Sequence, residues 1–566
     1  MIKNSLSGLV IAGASGRNPM NIHHGARGAY PVLALAGLSV LIRIYLSMLP
    51  HAMKGDEGAY IWLGQSIATG QGFTLMGMPE VHLNPLFPIV IAAIYRLTGV
   101  LEESGTVAFV VFGGLLAVPV YLLTRRIFGK TEATIAGLLI AIHPALTAYL
   151  FYEAGLSETI YLFTMFFGLY SLHKGLQDKR PLAYLAAGAL LGLSYLARSE
   201  GIQLLLFALA LLLLVALLRR ELLRTSTAFH AGLLVCSFSL FALPYVFYLH
   251  QETGDWMVSG KPWIAYMQNR SLAQGDLITF DKLTWGLDKS GREVVYFSQD
   301  KFDRSLFTEI AGDPGAAADQ FRGNLTRLGS LIQDPKTVPL FMWALVGVGL
   351  FGASWNRRRA LGEAVLFIAV LAALLPAMLM YPIVRFMAPA FPVMLIWSAV
   401  GLVRLRRWLV GTARRVGLGR LSTGSVGSSG WYVAVALVAV YFLAAYPSVI
   451  TTQQPELAKN LAEKQVGTVI RSQIQPNSVV MSRDGIVAMY TGQKWAPFPN
   501  AEYEKVIGYA RSHNVRYLVV EEWSIKVTNP QLAFLLDETS PPSNLKVLST
   551  QRTSVGKFVL YELIGG

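Results

Sequence analysis

At 566 residues, 53% apolar and only 14% charged, with a mean hydropathy of +0.46, the chain has the composition of a polytopic membrane protein and not of a large soluble enzyme. Its net charge of +14 would point to nucleic acid on a soluble protein, but here the basic residues fall between apolar runs, where they set topology, and no basic, aromatic-interleaved soluble face accompanies them. The one cysteine, Cys236, lies inside an apolar run; it excludes an intrachain disulfide and says nothing about compartment.

Residues 1–28 are polar and Gly-rich, carry Lys3, Arg17 and Arg27, and lack a small-residue cleavage site after a short apolar core. The segment 31–49 therefore reads as an uncleaved signal anchor behind a cytoplasmic tail of residues 1–30. Runs of about 17 to 25 apolar residues are long enough to cross a bilayer. They occur at 31–49, 105–124, 132–150, 157–173, 182–197, 201–218, 229–249, 338–354, 361–380, 388–403 and 431–449. A further run, 84–98, is short and opens on prolines, which suits an interfacial or re-entrant helix.

Charge decides whether 84–98 spans. If it does not, and the N-terminus is inside, the inside loops hold Arg125, Arg126 and Lys130, then Lys174, Lys179 and Arg180, then Arg219, Arg220 and Arg224. The same alternation puts Arg357, Arg358 and Arg359 inside, followed by the cluster from Arg404 to Arg420. A spanning 84–98 would turn nearly all of these outward, against the positive-inside rule. The expectation is a polytopic α-helical membrane protein of about eleven transmembrane helices, with outer loops at 51–104 and 250–336.

The unusual charged residues then share the outer face. Asp56 and Glu57 follow the first span, where an acid stays ionised beside the bilayer. In most membrane proteins such a pair is only a solvated loop, but others gather on the same side. Glu153 and Glu158 flank the second outer loop, and Glu158 opens a span, either as a simple helix-start acid or as a functional charge. Arg198 and Glu200 occupy a tight turn and can pair with each other. Arg385, in a short outer segment with Tyr381, either reaches lipid headgroups or offers planar donors to a phosphate. His82 and Asn84 introduce the interfacial helix, and Lys261 lies on the long outer loop. No His/Cys spacing resembles a zinc site and no Gly-rich loop follows a strand, so a nucleotide-sugar or ATP site has no sequence support.

From 451 to the end the character changes. An amphipathic stretch (456–474), strands at 478–482, 515–521, 545–549 and 557–563, and helices at 501–513 and 530–536 predict a small extracytoplasmic α/β domain after a membrane domain spanning 31–450. A Ser/Gly-rich linker, 421–430, precedes the last span.

An acidic pair in GDExxY, a downstream NPLFP element, an LSE acid, an ARSEG turn and a late RFxxPxxP segment, in this order and on one face, resemble the GT-C membrane glycosyltransferases. The likeness is to the protein mannosyltransferase and aminoarabinose transferase superfamily, including lipopolysaccharide glycosyltransferases, and covers roughly residues 30–400. It implies a polyprenyl-phosphate sugar as donor and inverting transfer to an acceptor hydroxyl. By motif match it puts catalysis at Asp56, with Glu57 beside it and Glu158 as the second-loop acid, and donor phosphate at Arg385. Where many members carry a lysine in a His-Lys-Pro-Pro element this chain has Leu83 and Asn84, so a second phosphate cation must come from Arg198 or Lys261, or be absent. His82, Asn84, Glu153, Glu200 and Tyr381 are further substrate-binding candidates.

The expected partners are the lipid-linked sugar, a lipid, glycan or protein acceptor, and membrane lipids; a divalent cation (Mg or Mn) is a possible cofactor. The expected setting is a bacterial inner membrane, with the C-terminal domain outside. A transporter or flippase of lipid-linked sugars is the competing reading, since it too would carry intramembrane charges. Transporters tend to show repeated halves with paired broken helices, and no such repeat is evident in the sequence.

Overall fold

The computed structural model describes residues 22–153, 156–303, 305–334, 338–416 and 425–565. Most of the cytoplasmic tail expected at 1–30, and part of the 421–430 linker, lie outside them.

Helices lie at all eleven positions expected to span, but at 338–354 the helix, Leu340–Phe351, has only 12 residues. Six are long and apolar enough to cross a membrane by themselves, and a seventh is obtained by joining Lys130–Ile142 to Pro144–Tyr152 across a 64° bend. Pro144 explains the break, because its ring and missing N–H interrupt an α-helical ladder. Arg43, fully buried on the first span, donates to the carbonyl of Leu146, just past the bend, at 2.8 Å and to Ser39 Oγ at 2.6 Å. Arg43 thereby packs the first span against the bend.

The segment 84–98 is a 13-residue helix, Leu86–Thr98, about 20 Å long and too short to span. It packs on a second short helix, Asp56–Ala68, that begins at the acidic pair itself and that apolar run length did not disclose. The outer segment 250–336 is largely helical as well, with Pro262–Ala273, Leu277–Trp285, Leu306–Gly312 and Pro314–Ile332.

The last span does not stop at the membrane. Ser425–Ile470 is one 46-residue helix, roughly 70 Å at 1.5 Å per residue, of which a bilayer uses less than half. Its far end buries Ala462, Val466 and Ile470 against a five-stranded sheet. The strand order is Lys494–Pro497, Val479–Ser482, Val515–Glu521, Gly556–Leu563, Leu545–Thr553; the first three are mutually parallel and the last two form an antiparallel hairpin. The four expected strands are present, and Lys494–Pro497 and the helix Gly485–Thr491 are additional. Lys464 and Tyr490 both bond Glu102, at 2.8 and 2.6 Å, fixing this module over the start of the Leu101–Leu115 helix.

Candidate functional site

Chain geometry forces Asp56 to its place. Gly55 has φ +43°, a left-handed conformation that glycine tolerates best, and it turns the chain sharply into the Asp56–Ala68 helix. Asp56 and Glu57 then occupy the first helical turn, where the N-terminal partial positive charge favours carboxylates. Adjacent on a helix, they point about 100° apart, and their surroundings differ completely.

Asp56 lines a cavity of about 400 Å³, with its side chain 42% exposed to that space, and meets Arg385 at 3.2 Å. Burial alone would raise its carboxyl, but Lys261, Arg385 and Arg198 outweigh that and hold it down at about 2. Glu57 is 1% exposed and does not line the cavity. It accepts from the backbone N–H of Lys54 at 3.3 Å and faces His51 Nε2 at 3.5 Å. Burial pushes its carboxyl up to about 8 and holds the His51 ring down at about 4, so at neutral pH this contact is between two mostly neutral groups.

Arg385 comes from the one-turn Val384–Met387 segment between two spans, and its Nε donates to Glu158 Oε1 while Asp56 takes the fork's other side. Glu158, 2% exposed in the first turn of Leu156–Asp178, also receives Arg198 Nη1, and Arg198 Nη2 reaches Glu200 at 3.0 Å. The five sequence candidates Asp56, Glu158, Arg198, Glu200 and Arg385 are therefore one chain of alternating charges, joined across 329 residues. Gly201 makes the tight turn possible: a Cβ there would lie 2.4 Å from the Tyr195 backbone nitrogen. Glu153 sits at the edge, pairing with Lys54 at 3.4 Å and presenting its carbonyl to Arg385 at 3.5 Å.

Lys261 lines the Asp56 cavity, and among the described residues its ammonium has no ion pair or side-chain hydrogen bond. His82 lines it too. Asn84 and Tyr381 do not: Asn84 donates to the Tyr195 carbonyl at 2.8 Å, while the Tyr381 N–H bonds Asn269 and its ring lies 3.6 Å beneath Arg327. Both have structural jobs.

Several wall residues escaped the sequence reading. Trp62 stacks on Trp495 at 5.7 Å, and Trp285 meets Trp495 edge-on at 5.5 Å. Arg483, ion-paired to buried Asp281, lies over Trp285. Trp495 and Arg483 belong to the C-terminal module, so the module closes the cavity that the membrane domain opens. Trp62 and Trp495 also border a groove of about 1140 Å³ between the first outer segment and the sheet. Glu80 was missed as well; it is fully buried and bonds His82, Leu83 and Tyr296. A run of local periodicity carries no trace of such contacts.

Among the described residues no three His, Cys, Asp or Glu side chains converge as a cation site. Asp56 is ringed by arginine and lysine, a set that suits an oxyanion and not a divalent cation.

The family model described as dolichyl-phosphate-mannose-protein mannosyltransferase matches residues 82–247. No curated protein sequence matches significantly. Among solved structures, the oligosaccharyltransferase AglB from Archaeoglobus fulgidus, in complex with an inhibitory peptide and a dolichol-phosphate, is similar at TM-score 0.54 and 16% identity over 94% of this chain and 74% of that one. An oligosaccharyltransferase from Archaeoglobus fulgidus in complex with zinc and sulfate is similar at TM-score 0.56 and 17% identity, over 93% of this chain and 72% of that one. ArnT from Cupriavidus metallidurans bound to undecaprenyl phosphate gives TM-score 0.52 and 17% identity over 95% of this chain and 99% of that chain. These likenesses agree on one architecture, the GT-C membrane glycosyltransferase fold.

Proposed function

On that fold, we propose that the chain transfers a sugar from a polyprenyl-phosphate donor to an acceptor hydroxyl at the outer face of a bacterial inner membrane. The observation that carries this reading is a cavity lined by an ionised carboxylate, Asp56, and the ammonium of Lys261, with Arg385 held against Asp56 at 3.2 Å just behind the lining. Breaking the bond from sugar C1 to phosphate oxygen leaves negative charge on the phosphate, and Arg385 with Lys261 stabilises it. The acceptor oxygen forms its bond to C1 from the opposite side, with inversion, and passes its proton to Asp56. Arg198 and Glu158 hold Arg385 in place from behind; Glu57 anchors the start of the Asp56 helix.

A phosphate at Arg385 competes with Asp56 for the same guanidinium. Donor binding therefore loosens the ion pair that depresses Asp56 and makes it a better base when the acceptor arrives. The aromatic groove beside the module is the approach for the acceptor, whether lipid, glycan or protein. The C-terminal module faces outward in this reading, as the inside arginine clusters require. Nothing in the step runs through a divalent cation. We assign the membrane domain to residues 31–450 and the outer module to 451–566.

The test is release of label from a panel of radiolabelled polyprenyl-phosphate sugars by purified protein in liposomes. Transfer by the wild type and its loss in Asp56→Asn support the reading; no release from any donor defeats it and favours a flippase.

A further inference from the structure

The buried group that this mechanism leaves unused is His82. Its ring is 4% exposed and lines the Asp56 cavity, and among the described residues its Nε2 has no hydrogen-bond partner. Buried polar atoms are normally paired, so an imidazole nitrogen held unpaired beside a cavity calls for a ligand. Everything around it fixes its orientation. Nδ1 faces Glu80 Oε1 at 3.3 Å, and the same oxygen accepts the backbone N–H groups of His82 and Leu83 at 2.6 and 3.0 Å. Glu80 Oε2 accepts the Tyr296 hydroxyl at 3.1 Å, and the Tyr296 ring packs 4.2 Å from the imidazole. Burial opposes the charge on Glu80, but its bonds to His82 and Leu83 outweigh that and hold its carboxyl below the usual range. An ionised Glu80 accepts a hydrogen bond from Nδ1–H, which leaves Nε2 unprotonated with its lone pair free.

We propose that His82 Nε2 is the hydrogen-bond acceptor for one neutral hydroxyl of the substrate sugar, with Glu80 as the positioning residue that sets its tautomer. This rests on the glycosyl-transfer reading above. The chemistry of the partner follows from charge. A phosphate or carboxylate oxygen would meet the lone pair of Nε2 and, behind it, the Glu80 carboxylate. An ammonium group would meet Lys261 and Lys301, both of which already push against a positive charge on this ring. A hydroxyl offers its proton to Nε2 without either conflict, so the pocket selects a hydroxyl over an amino group at this position of the sugar.

Three arms test it, once a donor is found for the wild type. Against the full donor, His82→Phe should lower kcat/KM about ten- to a hundredfold, and His82→Gln should recover part of that because its amide oxygen reaches the same place. Against donors lacking single hydroxyls, one analogue should be equally poor for the wild type and His82→Phe, while the others keep the full difference. Deoxy acceptors run in parallel distinguish a hydroxyl on the acceptor from one on the donor. The third arm needs no turnover: with ¹⁵N-histidine, the signal lost in His82→Gln should show an unprotonated Nε2, which becomes protonated in Glu80→Gln as the new amide donates to Nδ1. A protonated Nε2 in the wild type, or a constant His82→Phe penalty on every deoxy donor and acceptor, overturns the proposal while leaving glycosyl transfer intact. A wild type with no transfer from any donor defeats the functional reading instead, and a ligand-free unprotonated Nε2 would not rescue this one.

Discussion

Two clusters of carboxylates meet at the short segment 483–486, and their electrostatics are opposite. On the cavity side Asp56 stands among three cations, Arg385, Lys261 and Arg198, which together hold it ionised. On the packed side, the end of the long Ser425–Ile470 helix brings Glu463, 0% exposed, against Glu521 and Asp484 with Lys459 as the near cation, 3.4 Å away. Burial and mutual repulsion raise the Glu463 carboxyl well above its ordinary range, and burial raises that of Glu521. The same contrast recurs one residue apart in Asp56 and Glu57. Carboxylate chemistry is thus decided by the balance of burial, hydrogen bonds and neighbouring charge around each acid, and not by the residue type. An acid in a cation-rich wall stays charged and can bind, orient or accept a proton; an acid in a cation-poor layer keeps its proton and packs.

The contrast is broken most directly at Asp56. Asp56→Asn should cost about 10² to 10⁴ in turnover, the usual contribution of a well-placed base, with donor binding and membrane insertion retained. Single-turnover transfer measured beside donor binding distinguishes the two effects. If Asp56→Asn turned over normally while Glu57→Gln was dead, the two acids would exchange roles; if both were active, the cavity would not be the reaction site.

Arg385 comes next. Arg385→Ala removes charge-assisted bonds to the donor phosphate and should lower transfer roughly one to two decades, while Arg385→Lys should restore it only in part because the fork is lost. Full activity in Arg385→Ala would take this residue out of the site. Lys261→Ala should cost less, roughly tenfold or under, because a single point charge with no fixed partner is removed. The effect should appear mainly in KM for the donor. A loss as large as that of Asp56→Asn would instead give Lys261 a part in the chemical step.

Helix positions were readable in the sequence because a bilayer imposes one length on every span and basic loops mark one side. The sharing of one face by Asp56, Glu158, Arg198 and Arg385 was readable for the same reason, and the structure turns that shared face into bonded pairs. What stayed hidden were contacts between distant segments. Nothing local in the Trp62 helix announces Trp495, more than four hundred positions on, and nothing near Glu80 announces its bond to Tyr296. The Asp56–Ala68 helix was missed because its 13 residues are too few to register as a span. Its start was nonetheless marked by a glycine followed by two acids, the usual chemistry of a helix N-terminus.

The smallest effect on turnover is expected at Glu57, and its signature is in stability. In the folded protein burial raises its carboxyl to about 8, from an ordinary value of 4.5. Between those two values the folded chain holds a proton that the unfolded chain has released, so stability is full below the lower value and declines as pH rises through the window. A tenfold difference in proton affinity between the folded and unfolded chains is worth about 1.4 kcal/mol, which bounds the loss at roughly 4 kcal/mol by pH 8. Glu57→Gln keeps the buried amide neutral at every pH and can still accept the Lys54 N–H. The variant should match the wild type near pH 5, melt at a higher temperature near pH 8, and retain transfer within a few-fold. Thermal unfolding of detergent-solubilised protein across pH 5 to 8 measures this. Parallel pH profiles for the two proteins would show that Glu57 is already ionised in the fold, and the division between a charged wall and a protonated packing layer would no longer hold at the first helical turn.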